Sequence, residues 1–226
     1  MNGLIEDLGR RTYGPALALQ RERVGAVAAG TMGPTLFFVE HEPVITVSRR
    51  PQAAGHVLAT EAQLADHGVT LMPTDRGGDV TYHGPGQWVV YPVVRLSETG
   101  LSLTGYLRAL EQAVVAAVGR FGIEGVVEPG AAGVWAALPK GQGLAKLCAM
   151  GVRLRRGVTM HGLALNVNPN MRHFELINPC GLGRPVTCLQ ALLGDATPTM
   201  KKVKAVLAEE LIVALKLRPA DTKANA

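Results

Sequence analysis

The chain has 226 residues, 47% of them hydrophobic and only 18% charged, which excludes a globally disordered protein and allows a self-sufficient core. The first residues, MNGLIEDLGRR, contain no apolar run typical of a signal peptide, and no stretch approaches the roughly 20 apolar residues of a membrane span. The net charge of +5 favours an acidic partner, either nucleic acid or protein, although charge that serves only solubility would look the same.

The cysteines and histidines indicate neither disulfides nor a metal site. Cys148, Cys180 and Cys188 are an odd number without a CxxC pair, which is typical of free thiols in a reducing compartment, so we expect a cytoplasmic protein. The histidines lack the spacing of a zinc site, and no GxSxG motif indicates a serine hydrolase. Aromatic residues make up only 4% and do not alternate with arginines, which disfavours a nucleic-acid stacking surface.

The pattern of apolar residues predicts helices and strands in an irregular order. Helices are predicted at residues 15–29, 102–120 and 197–215, the last capped by Thr197 with Pro198 at its first position. Strands are predicted at residues 36–40, 44–47, 87–96, 133–137, 146–154 and 159–167, the last two as a hairpin. This order favours an α+β fold, with a mixed or antiparallel central sheet flanked by helices, over a doubly wound nucleotide fold. We expect a single domain at residues 1–220 and a flexible C-terminal tail at 221–226.

The first segment of chemical interest is DRGGDVTYHGPGQWVVYP at residues 75–92. Its glycines permit backbone conformations closed to other residues and leave room for a ligand against the main chain. Arg76 can donate several hydrogen bonds there, and Thr81, Tyr82 and His83 continue in an extended run. The spacing matches neither the phosphate loop GxxxxGK(S/T) nor GxGxxG, so no nucleotide is inferred. A glycine-rich hairpin without a ligand explains the segment equally well.

The second segment, KLCAMGVRLRRGVTMHGLALNV at residues 146–167, holds a lysine in an apolar predicted strand. Alternation along a strand places Lys146, Cys148 and Met150 on one face. A buried lysine becomes a usable proton carrier, whereas a lysine at a sheet edge only reaches water. A lone histidine such as His161 is more often structural than catalytic, and we assign it no chemical role.

The third segment, NPCGLGRPVTC at residues 178–188, places a cysteine between a stiffening proline and glycines that permit a sharp exit. A thiol on such a turn can be surrounded by backbone N–H donors, which stabilise both a thiolate and an oxyanion. A single cysteine is more often a small buried hydrophobe. The pattern alone does not choose Cys180 over Cys148, on the lysine strand, or Cys188, at the start of a predicted short helix whose dipole favours a thiolate.

Together the three segments resemble the lipoyl(octanoyl) transferase family over most of the chain, from about Val39 to Leu193. The shared elements are EHxPV at residues 40–44, RGGxVTYHGPGQ at 76–87, PGVW-like residues at 133–135, a KIxxxG-like strand at 146–151, RRGxxxHGLALNV at 155–167 and NPCG at 178–181. One short motif would be weak evidence, but an ordered series of this length is specific.

The resemblance implies the fold of the lipoate and biotin protein ligases and a single catalytic domain that uses no ATP, no metal and no other cofactor. The NPCG and KIxxxG motifs imply Cys180 as the nucleophile and Lys146 as its acid/base partner. Contacts to the acyl chain and its carbonyl would come from a larger set, namely Arg76, Gly77, Gly78, Asp79, Val80, Thr81, Tyr82, His83, Ala149, Met150, Gly151, Gly162, Leu163 and Ala164.

The implied activity is the first step of protein lipoylation, in which an octanoyl group moves from acyl carrier protein to a lysine of a lipoyl domain through a thioester on Cys180. The implied partners are acyl carrier protein, the lipoyl domains of 2-oxoacid dehydrogenase complexes and the glycine cleavage H protein. We expect a monomer with no nucleic-acid and no membrane partner. Because these partners are acidic as families, basic residues could steer them, including Arg153, Arg155, Arg156, Lys201, Lys202 and Lys204.

Two departures from the family pattern are small. Met160 stands where the family often has an aromatic residue, which would alter chain-length preference if it bordered the acyl tunnel, and Cys148 stands at a small-residue position, which favours a structural role. The alternative functions are an ATP-dependent lipoate or biotin ligase of the same fold and a lipoyl-domain binder without catalysis. The NPCG cysteine disfavours the ligase, and retention of Cys180 and Lys146 disfavours the binder.

Overall fold

The computed structural model describes residues 2–179 and 184–219, which form two sheets. The large sheet contains β1 (Asn2–Arg11), β2 (Thr35–His41), β6 (Gln87–Val93), β7 (Gly125–Glu128), β8 (Ala131–Ala137), β9 (Leu144–Arg155), β10 (Val158–Asn166) and β11 (Arg218–Pro219). Their order is β11-β1-β2-β6-β10-β9-β8-β7, with β1 parallel to both neighbours and the other ladders antiparallel. A smaller sheet has the order β4-β3-β5 and consists of β3 (Val44–Val47), β4 (Thr70–Pro73) and β5 (Val80–His83). The predicted α+β class with a mixed sheet is confirmed.

Helices cover both faces of the large sheet. They are α1 (Tyr13–Ala29), α2 (Glu61–Asp66), α3 (Leu96–Thr99), α4 (Leu103–Gly119), α5 (Leu189–Leu193) and α6 (Met200–Ala214), with 3₁₀ turns at Ala53–His56, Pro139–Gly141, Met171–Leu176 and Gly194–Ala196. Alternation in β2 turns Leu36 and Phe38 toward α4 and α6, and Phe37 and Val39 toward α1. Within the described ranges, no helix combines the length and apolarity that a membrane crossing requires.

The helices predicted from periodicity are confirmed, with one corrected cap. Ser102 caps α4 by accepting a hydrogen bond from the Gly105 amide at 3.0 Å. The predicted cap at Thr197 is wrong, because the Thr197 hydroxyl is satisfied by the carbonyl of Gly194 at 2.5 Å. Thr199 caps α6 instead, since its hydroxyl accepts from the Lys202 amide.

One strand prediction needs correction. The strand predicted at residues 87–96 ends at Val93, and Leu96 already begins α3. The predicted hairpin is confirmed, and its turn is Arg156–Gly157, where both residues have positive φ as the favoured two-residue hairpins require. The tail predicted at residues 221–226 lies outside the described residues.

Candidate active site

A cleft of about 730 Å³, its open mouth included, lies on the α1 side of the large sheet. Residues of β5, β6, β9 and β10 line it, together with the segment before β5. The predicted site residues that line this cleft are Arg76, Gly78, Asp79, Val80, Thr81, His83, Lys146, Ala149, Met150, Gly151, Gly162, Leu163 and Ala164.

Gly77 and Tyr82 belong to the predicted set but do not line the cleft. Tyr82 is fully buried in the small-sheet core, with its hydroxyl 2.8 Å from His173 Nδ1 and its ring against Phe174. The Gly77 amide donates to the carbonyl of Val152 at 3.0 Å, so this residue joins the cleft wall to β9. Both residues therefore stabilise the wall of the cleft without lining it.

Glycines allow unusually close backbone contact in the cleft wall. A Cβ added to Gly151 would lie 2.4 Å from the carbonyl oxygen of Gly77, and one added to Gly162 would lie 2.2 Å from that of Val90. No side chain fits at such distances without moving the neighbouring strand. The glycines thus let the Arg-Gly-Gly segment lie directly against β9 and hold β10 close to β6.

A β-bulge in β9 separates Lys146 from Cys148. Trp135 pairs with Lys146 and Val134 pairs with Cys148, so Leu147 is an extra residue in β9. Lys146 lines the cleft, whereas Cys148 is fully buried in the core that α4 and α6 cover. The predicted sharing of one face by these residues is therefore wrong. Burial raises the pKa of the Cys148 thiol to about 12, which fits the structural role favoured for this residue.

Lys146 is 7% exposed and its side-chain nitrogen is held in place. Its Nζ donates to the carbonyl oxygen of Ala132 at 3.2 Å and lies 4.6 Å from the centre of the Trp135 ring. The guanidinium carbon of Arg184 lies 3.8 Å from the centre of the same ring, and Arg184 also forms an ion pair with Glu128. Trp135 therefore positions the ends of two basic side chains, and one of them, Lys146, lines the cleft.

Residues that flank Cys180 in the sequence reach the cleft that Lys146 lines. Pro179 lines the cleft on one side. On the other, Val186 forms a parallel bridge with Lys146, because the Lys146 amide donates to Pro185 at 2.9 Å and the Thr187 amide donates to the Lys146 carbonyl at 3.0 Å. Cys180, the predicted nucleophile, lies outside the described residues.

The third cysteine has a capping role. Cys188 is buried and its sulfur accepts a hydrogen bond from the Ala191 amide at 3.4 Å, at the start of α5. This confirms the predicted position of Cys188 at the start of a short helix.

A buried chain of hydrogen bonds runs from the cleft to the segment that follows Cys180. His83 Nδ1 lies 2.7 Å from Gln87 Oε1, Gln87 Nε2 donates to Asn166 at 2.8 Å, and Asn166 Nδ2 donates to the Thr187 carbonyl at 3.0 Å. Burial and, second, the neighbouring His41 lower the pKa of His83 to about 3, so the ring is neutral at pH 7. Because Gln87 Oε1 can only accept, His83 donates from Nδ1 and keeps Nε2 as an acceptor.

A second buried histidine orients an aromatic ring of the cleft. His41 Nδ1 donates to the carbonyl of Arg11 at 3.0 Å, and its Nε2 lies 2.7 Å from the Tyr91 hydroxyl. Burial lowers the pKa of His41 to about 4, so Nε2 of the neutral ring accepts from Tyr91.

His161, which received no role from the sequence, lines the cleft in a strained conformation. Its φ is +57° within β10, and its amide donates to Gln20 Oε1 of α1 at 2.9 Å. Its Nε2 lies 2.8 Å from Asp75, which also pairs with Arg153 at 3.0 Å. Burial alone would raise the pKa of Asp75, but His161 and Arg153 together lower it.

Several residues that line the cleft were not predicted, and they differ in whether the sequence contains a signal that identifies them. Gln87, Asn166 and Pro179 lie inside the recognised motifs, so position in those motifs could have identified them. Val89, Tyr91 and Val186 lie in the segments of chemical interest but outside the motifs, whereas Tyr13 and Phe174 reach the cleft through tertiary packing with no local signal. Met160 is fully buried in the α1 core and does not line the cleft, so it has no direct contact through which to alter chain-length preference.

Comparisons with known proteins agree with the fold and the motifs. Residues 12–212 match the family model described as the lipoyl protein ligase A/B catalytic domain. An octanoyltransferase of Chloroflexus aggregans is 44% identical over 217 residues, covering 95% of this chain and 96% of the relative.

Two solved structures share the fold at low sequence identity. One is a bipartite lipoate protein ligase of Thermoplasma acidophilum, with a TM-score of 0.74, 17% identity, and coverage of 100% of this chain and 88% of that one. The other is a biotin protein ligase of Aquifex aeolicus, with a TM-score of 0.57, 13% identity, and coverage of 94% and 70%. With the family model and the relative of high identity, the chain belongs to the octanoyltransferase family of acyltransferases and carries a lipoyl protein ligase A/B catalytic domain.

Proposed function

We propose that this enzyme moves an octanoyl group from acyl carrier protein to a lysine of a lipoyl domain, through a thioester on Cys180. The observation that carries the proposal is that Pro179 and Val186, which flank Cys180 in the sequence, line the same cleft as Lys146. Membership in the octanoyltransferase family supports octanoyl as the transferred group, and the lipoate ligase fold supports a lipoyl domain as the acceptor.

In the first half-reaction the neutral amine of Lys146 takes the proton of the Cys180 thiol, and the sulfur attacks the thioester carbonyl of the donor. The tetrahedral intermediate collapses by breaking the bond to the donor sulfur, and Lys146 returns the proton to that leaving thiol. Ala132 and Trp135 hold the side-chain nitrogen of Lys146 in place, which supports a positioned acid/base residue.

In the second half-reaction the neutral amine of the acceptor lysine attacks the Cys180 thioester. The carbon–sulfur bond breaks, an amide forms, and the thiol is regenerated with the proton that the amine loses through Lys146. A thioester is less stable than an amide, so the transfer proceeds without activation by ATP. This scheme predicts ping-pong kinetics.

The cleft is suited to an acyl chain. Glycine backbone and the apolar side chains of β9 and β10 line part of it, and the exposed surface of its wall is mainly apolar. His83 stays neutral because of its low pKa, so it adds polarity without a buried charge.

Intact-mass spectrometry after mixing the enzyme with octanoyl–acyl carrier protein tests the proposal. We expect an octanoyl adduct on the wild type and on Cys188→Ala, discharged by adding a lipoyl domain, and none on Cys180→Ala. An adduct that survives in Cys180→Ala would assign the nucleophile elsewhere. Turnover only with free octanoate, ATP and magnesium would identify a ligase instead.

A further inference from the structure

A second, basic cleft lies between α1 and the far end of the β9–β10 hairpin. Arg21, Val24, Gly25, Arg155 and Arg156 line it, and its three arginines are exposed. Over the part of the chain that the structure describes, none of these three arginines has an ion pair, whereas nearby Arg153 is paired with Asp75. The cluster therefore presents three exposed positive charges without a direct ion pair.

The backbone at Arg156 adds a second observation. Its φ is +53° in the hairpin turn, a conformation that glycine and asparagine adopt more easily than arginine. An arginine at a strained turn position points to a use for its side chain, because folding alone would favour the other residues.

The distance from the reacting end decides which partner can use this cluster. Lys146 and Arg155 are both in β9, and eight regular steps beyond the bulge at roughly 3.3 Å each separate them by about 26 Å. An acceptor delivers its amine on a single lysine side chain, so its surface must lie directly over Lys146. A carrier protein delivers its thioester on a pantetheine arm of roughly 18 Å by standard bond lengths, so its body must lie well away.

The width of a typical interface accounts for the difference between the length of the arm and the distance from Lys146 to the cluster. A standard protein interface of about 800 Å² per partner is roughly 30 Å across, so a body centred one arm length from Lys146 covers the arginine cluster. Guanidinium groups pair bidentately with carboxylates, which suits an acidic protein surface.

We propose that the acidic donor carrier protein docks on the cluster of Arg21, Arg155 and Arg156, while the acceptor docks over the mouth of the cleft near Lys146. This inference rests on the proposed function for its donor. The cluster raises the rate of productive encounter and sets where the arm enters. It takes no part in chemistry at the thioester.

A triple variant, Arg21→Ser, Arg155→Ser and Arg156→Asn, tests the proposal, and asparagine suits the positive φ of the turn. With octanoyl–acyl carrier protein, we expect kcat/KM to fall about tenfold or more and its salt dependence to weaken, because steering by charge is lost. With octanoyl-pantetheine, which has the same thioester but no protein, kcat/KM should stay within about twofold, since no carrier charge is steered.

The matched control removes the same charge from the opposite side of the sheet, where Arg108 and Arg120 are exposed at α4 and Lys216 is exposed after α6. Arg108→Ser, Arg120→Ser and Lys216→Asn together should leave every rate unchanged, and asparagine suits the positive φ of Lys216. Unchanged kinetics with the carrier protein in the first triple variant would overturn the proposal. So would an increase in KM for the lipoyl domain instead, or an equal loss with octanoyl-pantetheine. Failure of the wild type to use either thioester would refute the proposed function itself.

Discussion

Asn166 is expected to stabilise the protein because it closes a buried hydrogen-bond chain. It is 3% exposed, accepts from Gln87 at 2.8 Å and donates to the Thr187 carbonyl at 3.0 Å. Asn166→Ala leaves one N–H and one carbonyl buried without these partners, at about 1–3 kcal/mol each. Two full penalties sum to about 2–6 kcal/mol, and a water that enters the space offsets part of them, so we expect the free energy of unfolding to fall by about 2–4 kcal/mol.

Urea unfolding measures this change directly. With a slope of about 2–3 kcal/mol per molar urea for a chain of this size, the midpoint should fall by roughly 1 M. Asn168→Ala is the matched control, because Asn168 is exposed two residues later and its loss should change stability by less than about 0.5 kcal/mol. The Thr187 amide pairs with Lys146, so the rate of acyl-enzyme formation should fall in Asn166→Ala but not in the control.

An Asn166→Ala variant as stable as Asn168→Ala would refute the reasoning. It would mean that neither Gln87 nor Thr187 pays a desolvation penalty when Asn166 is removed, so the chain is not closed to water. Loss of stability with a normal rate of acyl-enzyme formation would refute only the link between this chain and the segment around Cys180.

Three further predictions follow from contacts in the cleft and beneath it. Gly162→Ala should lower the free energy of unfolding by about 3 kcal/mol, because the added Cβ would lie 2.2 Å from a carbonyl of β6. Thermal unfolding measures the loss of stability, and Gly14→Ala is the control because nothing lies within 4 Å of a Cβ added there. Trp135→Leu should slow acyl-enzyme formation about tenfold, because the ring that positions Lys146 and Arg184 is lost. Quenched-flow mass spectrometry measures this rate, and an unchanged rate would show that the ring is dispensable. His41 and His83 have folded pKa values of about 4 and about 3, below the ordinary 6.5, so the unfolded state binds protons more strongly as pH falls. The free energy of unfolding should thus fall by about 2 kcal/mol per histidine between pH 6.5 and pH 5, as measured by urea unfolding at a series of pH values. His41→Gln should reduce this pH dependence.

Elements with a buried face could be predicted from the sequence, and elements without one could not. Leucine and valine at helical spacing indicated α4 because its inner face packs into the main core. Strand β1 carries mostly polar residues such as Glu6, Asp7 and Arg10, which are at least partly exposed near the sheet edge. Pairing with β2, rather than its own pattern, makes this segment a strand.

The candidate site shows the same division. Motifs identified the glycines and Lys146, because close backbone approach and a lysine in an apolar strand are visible in the residues themselves. The bulge at Leu147 was not predicted, since strict alternation contains no signal for an extra residue. The positive φ of His161 also depends on a distant partner, the Gln20 side chain of α1. Contacts of this kind arise only once the tertiary fold has formed.

The placement of the cleft on the α1 side of the large sheet has a consequence for protein engineering. The core beneath α4 and α6 contains more buried apolar residues than the core on the α1 side, and few residues of the cleft contact it. Helix α1, in contrast, contributes Tyr13 to the cleft and Arg21 to the basic cluster. Thermostabilising libraries are therefore best confined to the outer surfaces of α4 and α6, where heat tolerance can be raised while the catalytic layer keeps its native sequence.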